Sequence, residues 1–364
     1  MLASPPNALR VPVQRSRTDV RAWIVAELAR ALKVAPSSID ARAPLYSLGV
    51  DSLTAITLTG ALAEWLECEV PATLMWDHGC IDEIARALGE PSADAPPRGV
   101  ICLNASGHRP PLFCFPGTRG HCVTFAPLAA HLDSDQPCYG LTAPGVEGEH
   151  PPLPSIEEIA AAMLRRVRLV QPKGPYQFAG YSFGGLIAFE AAQQAMREGE
   201  TVSLLALYDT FTPQGYIVRP RWQRLALHAY LLATRRGRLD YVRKQLKRRQ
   251  DLRQAEEARS RPPRTEAEQH QKIVLELERV NILAADKYVP QPYRGHLLLL
   301  RATERSPEMM FFRVEKQTNG WGSLAAGHLS IVDVPGTHQT LLKPEYASAA
   351  ARILRPYLLG AGST

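Results

Sequence analysis

Apolar residues recur along this chain in two different rhythms. From Arg17 to about Leu88 the rhythm is helical. Val20, Trp23, Ile24, Leu28 and Leu32 fall on one face of a first helix, and Leu53, Ile56, Leu62 and Leu66 on one face of a second that starts near Ser52. A short turn follows Pro71, and Ile81, Ile84 and Leu88 predict a last helix. Four short helices in about 70 residues make a small bundle. After Gly99 the rhythm changes. Short apolar runs at 100–103, 112–115, 138–141, 176–180, 203–208, 296–302 and 329–334 alternate with helical stretches, the pattern of a mostly parallel α/β sheet. Between Asp209 and Asp286 no strand is predicted. That segment is long, helical and charged, and an insertion of this size in an α/β domain reads as a lid.

Composition sets the boundaries. Residues 1–16 carry three prolines and no period, as in a disordered arm. The bundle occupies 17–89. Residues 90–98 (EPSADAPPR) have linker composition, and 99–360 form the α/β domain with its lid at about 211–285.

At 364 residues, 45% hydrophobic and 21% charged, the chain has the make-up of an ordinary globular protein. No apolar run approaches the ~18 residues of a membrane helix, and the first 15 residues lack the continuous apolar stretch of a secretory signal. The six cysteines all lie in the first 138 residues and form no C-x-x-C pair, which argues against a metal site or a disulfide framework and for reduced thiols in the cytoplasm. The net charge of +6 is uneven. Eleven basic residues and one acid lie between Arg219 and Arg249, so the rest of the chain is net acidic and a general nucleic-acid surface is excluded. The stretch from Ser52 to Gly89 holds six acids and one base, so a basic lid facing an acidic bundle is one expected docking arrangement.

The chemistry centres on Gly180-Tyr181-Ser182-Phe183-Gly184. A strand-like run, Tyr176 to Ala179, leads in, and a helix beginning near Leu186 leads out. A G-x-S-x-G motif between a strand and a helix is the nucleophile elbow of an α/β-hydrolase. A serine hydroxyl needs a base to take its proton. His338 follows the strand ending at Val334, on a loop at the C-terminal edge of the sheet. His121, His228, His296 and His328 are less well placed. The acid that orients the imidazole is Asp209 or Glu304, each directly after a strand. The oxyanion requires two backbone N–H donors, expected from Phe183 and from Thr118 in the loop after the second strand; Pro116 cannot donate.

These residues resemble the terminal thioesterases of polyketide and nonribosomal-peptide synthases. The resemblance runs from about Val100 to Leu358 and rests on PLFCFPG, GYSFGG, Leu207-Tyr208-Asp209, Tyr288 to Gly295, Gly320-Trp321 and VPGTHQTLL. It implies an α/β-hydrolase with a helical lid and a catalytic set of Ser182, His338 and Asp209; the family's acid follows the strand after the nucleophile helix, which favours Asp209 over Glu304. The bundle resembles phosphopantetheine carrier domains through Leu48-Gly49-Val50-Asp51-Ser52-Leu53. Asp51-Ser52 opens a helix, and a helix N-terminus stabilises an anionic phosphate. The resemblance implies 4'-phosphopantetheine on Ser52, installed by a phosphopantetheinyl transferase. It also implies upstream synthase modules or carriers as partners, an acyl thioester as substrate, and no nucleic acid, membrane or metal. The expected activity is release of the thioester-bound chain through a Ser182 ester, by hydrolysis or cyclisation. Rival readings are an editing thioesterase that clears stalled carriers, a carrier module with an inert hydrolase half, and a lipase or esterase on the same fold.

Overall fold

The computed structural model describes residues 16–50, 52–66, 70, 74–78, 80–89, 97–104, 107–234, 266–304, 312–315 and 317–360. Most of the expected arm (1–15) and linker (90–96) lie outside the described residues, as do 235–265 of the lid.

The N-terminal bundle is built from α1 (Arg17–Leu32), α2 (Ser52–Leu66), α3 (Leu74–Asp77) and α4 (Ile81–Gly89). Ser16 opens α1 as a capping box: its hydroxyl accepts from the Asp19 N–H while the Asp19 carboxylate accepts from the Ser16 N–H. Val20, Ile24 and Leu28 pack against Leu58, Leu62, Ile81 and Ile84 in a core of the bundle's own. Trp23 and Trp65 stack with ring centres 5.2 Å apart.

The second domain holds a seven-stranded sheet in the order β1-β3-β2-β4-β5-β7-β9. Its strands are β1 (Val100–Asn104), β2 (Leu112–Phe115), β3 (Cys138–Leu141), β4 (Tyr176–Tyr181), β5 (Val202–Tyr208), β7 (His296–Ala302) and β9 (His328–Val334). Each of the seven predicted strands is present, with ends displaced by at most one residue. β1 pairs antiparallel with β3; the other pairs are parallel. Parallel strands covered on both faces read as continuous apolar runs, and β7 shows why. Leu297 and Leu299 point into one core, Leu298 and Leu300 into the other. The first core is closed by α6 (Ile156–Val170) and α7 (Phe183–Arg197), the second by α5 (Ala126–Ala129) and α10 (Pro344–Leu358).

The insertion after β5 contains α8 (Arg221–Thr234) and α9 (Glu266–Lys287). It also holds β6 (Tyr216–Val218), which pairs antiparallel with β8 (Phe312–Val314). This corrects the expectation of no strand between Asp209 and Asp286: three residues are too few to establish a period of two.

The bundle sits against the sheet domain on its β1 side. α3 packs against β1, and the short 3-10 helix Leu45–Leu48 packs against α5.

Candidate active site

Ser182 stands between β4 and α7 with φ 54° and ψ −120°, a conformation that L-residues rarely adopt. Its N–H donates to the Tyr208 carbonyl at 3.0 Å, and its own carbonyl accepts from the Gly185 N–H at 3.1 Å. The turn is this sharp because its flanks touch. A Cβ at Gly180 would stand 2.4 Å from the Gly184 carbonyl oxygen, and one at Gly184 would stand 2.5 Å from that of Phe115. Both positions therefore require glycine.

Asp209 directly follows β5. Its φ of 43° turns the side chain across the sheet edge, and its N–H donates to the Leu300 carbonyl at 2.7 Å. Asp209 is 4% exposed. Oδ1 accepts from the Ala302 N–H at 3.1 Å and from Asn319 Nδ2 at 3.4 Å, and Oδ2 lies 2.8 Å from His338 Nδ1. His338 Nε2 lies 3.0 Å from Ser182 Oγ. With Nδ1–H donating to the carboxylate, the lone pair on Nε2 faces the serine hydroxyl. Glu304, the alternative acid, is exposed, and its backbone N–H is bound to the Gly336 carbonyl. The structure thus brings Ser182, His338 and Asp209 together and leaves Glu304 in solvent.

Tyr181, the first variable residue of the G-x-S-x-G motif, also serves the site. Its hydroxyl donates to the His338 carbonyl at 2.5 Å and its ring lies 5.1 Å from the imidazole. Burial, with the Asp209 charge adding, pushes the Tyr181 phenol up to about 12, so it remains a donor at neutral pH. Asn319, buried and at φ 51°, supports Asp209 from the loop before Trp321, whose indole N–H donates to the Thr210 carbonyl at 2.9 Å.

Phe183 is the first residue of α7, where an N–H has no acceptor within its helix. Thr118 is the second residue of a turn closed by the Gly120 N–H on the Gly117 carbonyl at 3.0 Å. Both Gly117 and Thr118 line a cavity of about 970 Å³ that also reaches Ser182 and His338. The lid helix α9 lines it with Gln271, Val274 and Leu275. His121, less well placed than His338 to serve as the base, lines it too, beside His270 of α9, with ring centres 6.0 Å apart. Burial and the neighbouring His270 push the His121 imidazole down to about 4, and burial lowers His270, so both are neutral near pH 7. Sequence spacing gives no sign of this pair, because it forms only when the lid helix lies across the loop.

One wall of the cavity comes from the bundle. Val50, Ala55, Ile56 and Met75 line it from around the start of α2 and from α3. Ser52 is the first residue of α2, three residues after Gly49 at φ 86°. Free N–H groups at a helix start suit a phosphodiester, so the backbone here fits a phosphopantetheine group.

A mixed sheet with a serine elbow, a histidine beyond the last strand and a carboxylate between them defines the α/β-hydrolases that act through serine. Within that class, the Thioesterase domain family matches residues 110–357, and the Phosphopantetheine attachment site family matches 22–88. The chain belongs to the thioesterase family, with a phosphopantetheine carrier domain ahead of it, and is a thioesterase whose carrier bears covalent 4'-phosphopantetheine. It is similar to a dimodular nonribosomal peptide synthase of Bacillus subtilis (strain 168), 28% identical over 97% of this chain and 15% of that protein. It is also similar to malpinin synthetase of Mortierella alpina, 29% identical over 86% of this chain and 4% of the synthetase. The chain therefore spans only a small part of either relative. Among solved structures, the NocB thioesterase domain in covalent complex with a fluorophosphonate nocardicin G analogue matches with TM-score 0.52 at 25% identity, covering 71% of this chain and 99% of that domain. A four-domain nonribosomal peptide synthetase, holo-AB3403, shares the fold over 98% of this chain and 27% of its own length, with TM-score 0.56 at 22% identity. Among the described residues, no helix is long and apolar enough to cross a membrane.

Proposed function

We propose that this chain releases an acyl, polyketide or peptidyl chain from the phosphopantetheine arm of its own carrier domain through an ester on Ser182. The observation that carries the reading is the run of hydrogen bonds from Asp209 through His338 to Ser182, opening onto a cavity that Val50, Ala55 and Ile56 of the carrier also line, on either side of Ser52 in the sequence. Phosphopantetheine supplies the thioester; the chain's own residues do the rest. His338 takes the Ser182 proton as Oγ attacks the thioester carbonyl, and Asp209 stabilises the imidazolium. The Thr118 and Phe183 N–H groups stabilise the tetrahedral oxyanion. The thiol leaves with the proton from His338, and an acyl ester remains on Ser182. Water, or a hydroxyl or amine of the chain itself, then attacks with His338 again as base. Tethering makes the first transfer intramolecular, at effective concentrations of up to the millimolar range.

The seat of the carrier supports an apolar rather than a charge-led docking. Val50, Ala55, Ile56 and Met75 face the cavity together with Ile101 and Leu103 of β1. The expected pairing of a basic lid with an acidic carrier concerns a segment that lies mostly outside the described residues, and transfer between docked apolar faces depends little on salt.

Intact-protein mass spectrometry after loading with a phosphopantetheinyl transferase and acyl-CoA tests the reading. Ser182→Ala should hold the acyl group on Ser52. Ser52→Ala should take up no arm and still hydrolyse soluble acyl thioesters through Ser182. An acyl group that leaves the Ser182→Ala protein at the wild-type rate would remove the proposal.

A further inference from the structure

The loop that offers the Thr118 N–H is held from outside by the lid. Gly117 to Gly120 form a four-residue turn, and its central peptide, Thr118 C=O with Arg119 N–H, takes no part in the closing hydrogen bond. That peptide is the part of a turn that tilts most readily. Here the Thr118 carbonyl accepts a hydrogen bond of 2.8 Å from Asn281 Nδ2, on α9 of the lid. Because the partner is a carbonyl, the amide nitrogen of Asn281 must face it. The contact continues along α9. Glu278 pairs with Arg119 at 3.3 Å, and Leu277 lies so close to Gly120 that a Cβ there would stand 2.6 Å from its Cδ2.

Asn281 is an unusual residue for a helix to bury. It is 1% exposed, and its Oδ1 accepts no hydrogen bond from any described protein group. A buried amide whose oxygen is unused by the protein is a cost to folding that leucine, of the same branching, avoids. Asn281 does not line the cavity, whereas Gly117, Thr118 and Arg119 do. The carbonyl drawn to Asn281 is thus drawn away from the site. A tilt of the same peptide the other way would present a carbonyl oxygen where an oxyanion must form.

We propose that Asn281 is a positioning residue that couples the lid helix to the oxyanion hole: by holding the Thr118 carbonyl it keeps that oxygen out of the place of the oxyanion and steadies the turn from which the Thr118 N–H, in the preceding peptide, is offered. Enclosure of the acyl chain and transition-state stabilisation are then linked, since α9 both lines the cavity and holds the competing carbonyl away from the oxyanion. The inference rests on the assignment of Thr118 to the oxyanion hole.

The test uses the full chain, a soluble acyl thioester as substrate, the matching boronic acid as a mimic of the tetrahedral oxyanion, and the matching amide as a mimic of the ground state. Asn281→Leu should lower kcat about tenfold with KM little changed, as expected when a donor is retained but loosened. Its boronate affinity should fall by the same factor while amide affinity holds and Tm does not fall. Asn281→Gln, which keeps a donor amide, should recover most of the loss. Thr118→Pro removes the N–H itself at a turn position that favours proline, and should cost roughly 10²–10³ in kcat. If Asn281→Leu keeps wild-type kcat and boronate affinity, or only raises KM, the coupling is overturned while Thr118 stands. If Thr118→Pro turns over at the wild-type rate, the assignment of Thr118 fails first and takes the coupling with it.

Discussion

The starts of α6 and α7 use the same residue for opposite ends. Ser155 caps α6 from an extended backbone, φ −136° and ψ 153°. Its hydroxyl accepts from the Glu158 N–H at 3.2 Å, the ordinary service of a serine at a helix start. Ser182 occupies the same position before α7, at φ 54° and ψ −120°, and makes no capping hydrogen bond. Its hydroxyl is turned to His338 at 3.0 Å. A backbone twist of one residue decides whether a helix-start serine stabilises its helix or is available for chemistry. The α7 start forgoes about 1 kcal/mol of capping for that availability, and the tight packing around Gly180 and Gly184 holds the twist in place.

That contrast can be broken at three strengths. Ser182→Ala should reduce thioester hydrolysis by ~10⁶ and abolish fluorophosphonate labelling, with no loss of Tm, since no cap is removed. Asp209→Asn should lower kcat by up to ~10⁴ by favouring the wrong tautomer. Glu304→Gln, at an exposed carboxylate, should stay within about twofold, as is typical of surface changes; the reverse order in a steady-state assay would reassign the acid. Ser155→Ala should do the opposite of Ser182→Ala: kcat unchanged, stability lower by about 1 kcal/mol in urea denaturation. If Ser155→Ala and Ser182→Ala moved the same observable, the two serines would not differ as the backbone implies.

The central strands were legible because burial on both faces leaves no alternation to misread; 297–300 is four leucines in a row, two for each core. The triad was half legible. Ser182 announces itself by its glycines, and His338 by its place after the last strand. Residues alone did not separate Asp209 from Glu304, because both follow adjacent parallel strands. What separates them is register. Tyr208 pairs with Leu300, so Asp209 turns inward at the sheet edge, whereas the chain beyond β7 carries Glu304 out into solvent. His121, Asn281 and Tyr181 were not legible as site residues. Each gains its part from a partner more than 140 positions away, His121 from α9, Asn281 from the Thr118 loop and Tyr181 from the His338 loop, and no local period encodes such a meeting. The β6–β8 ribbon was missed for its brevity.

The carrier's seat has a further consequence. β1 is the outermost strand of the sheet, and α3 rests on it. Ile101 is only 2% exposed there. An outer strand stripped of its cover invites pairing with another copy. Cutting the thioesterase half free of the bundle would therefore tell first on solubility, with self-association appearing before any change in turnover, and the bundle acts as a built-in shield for the domain it serves.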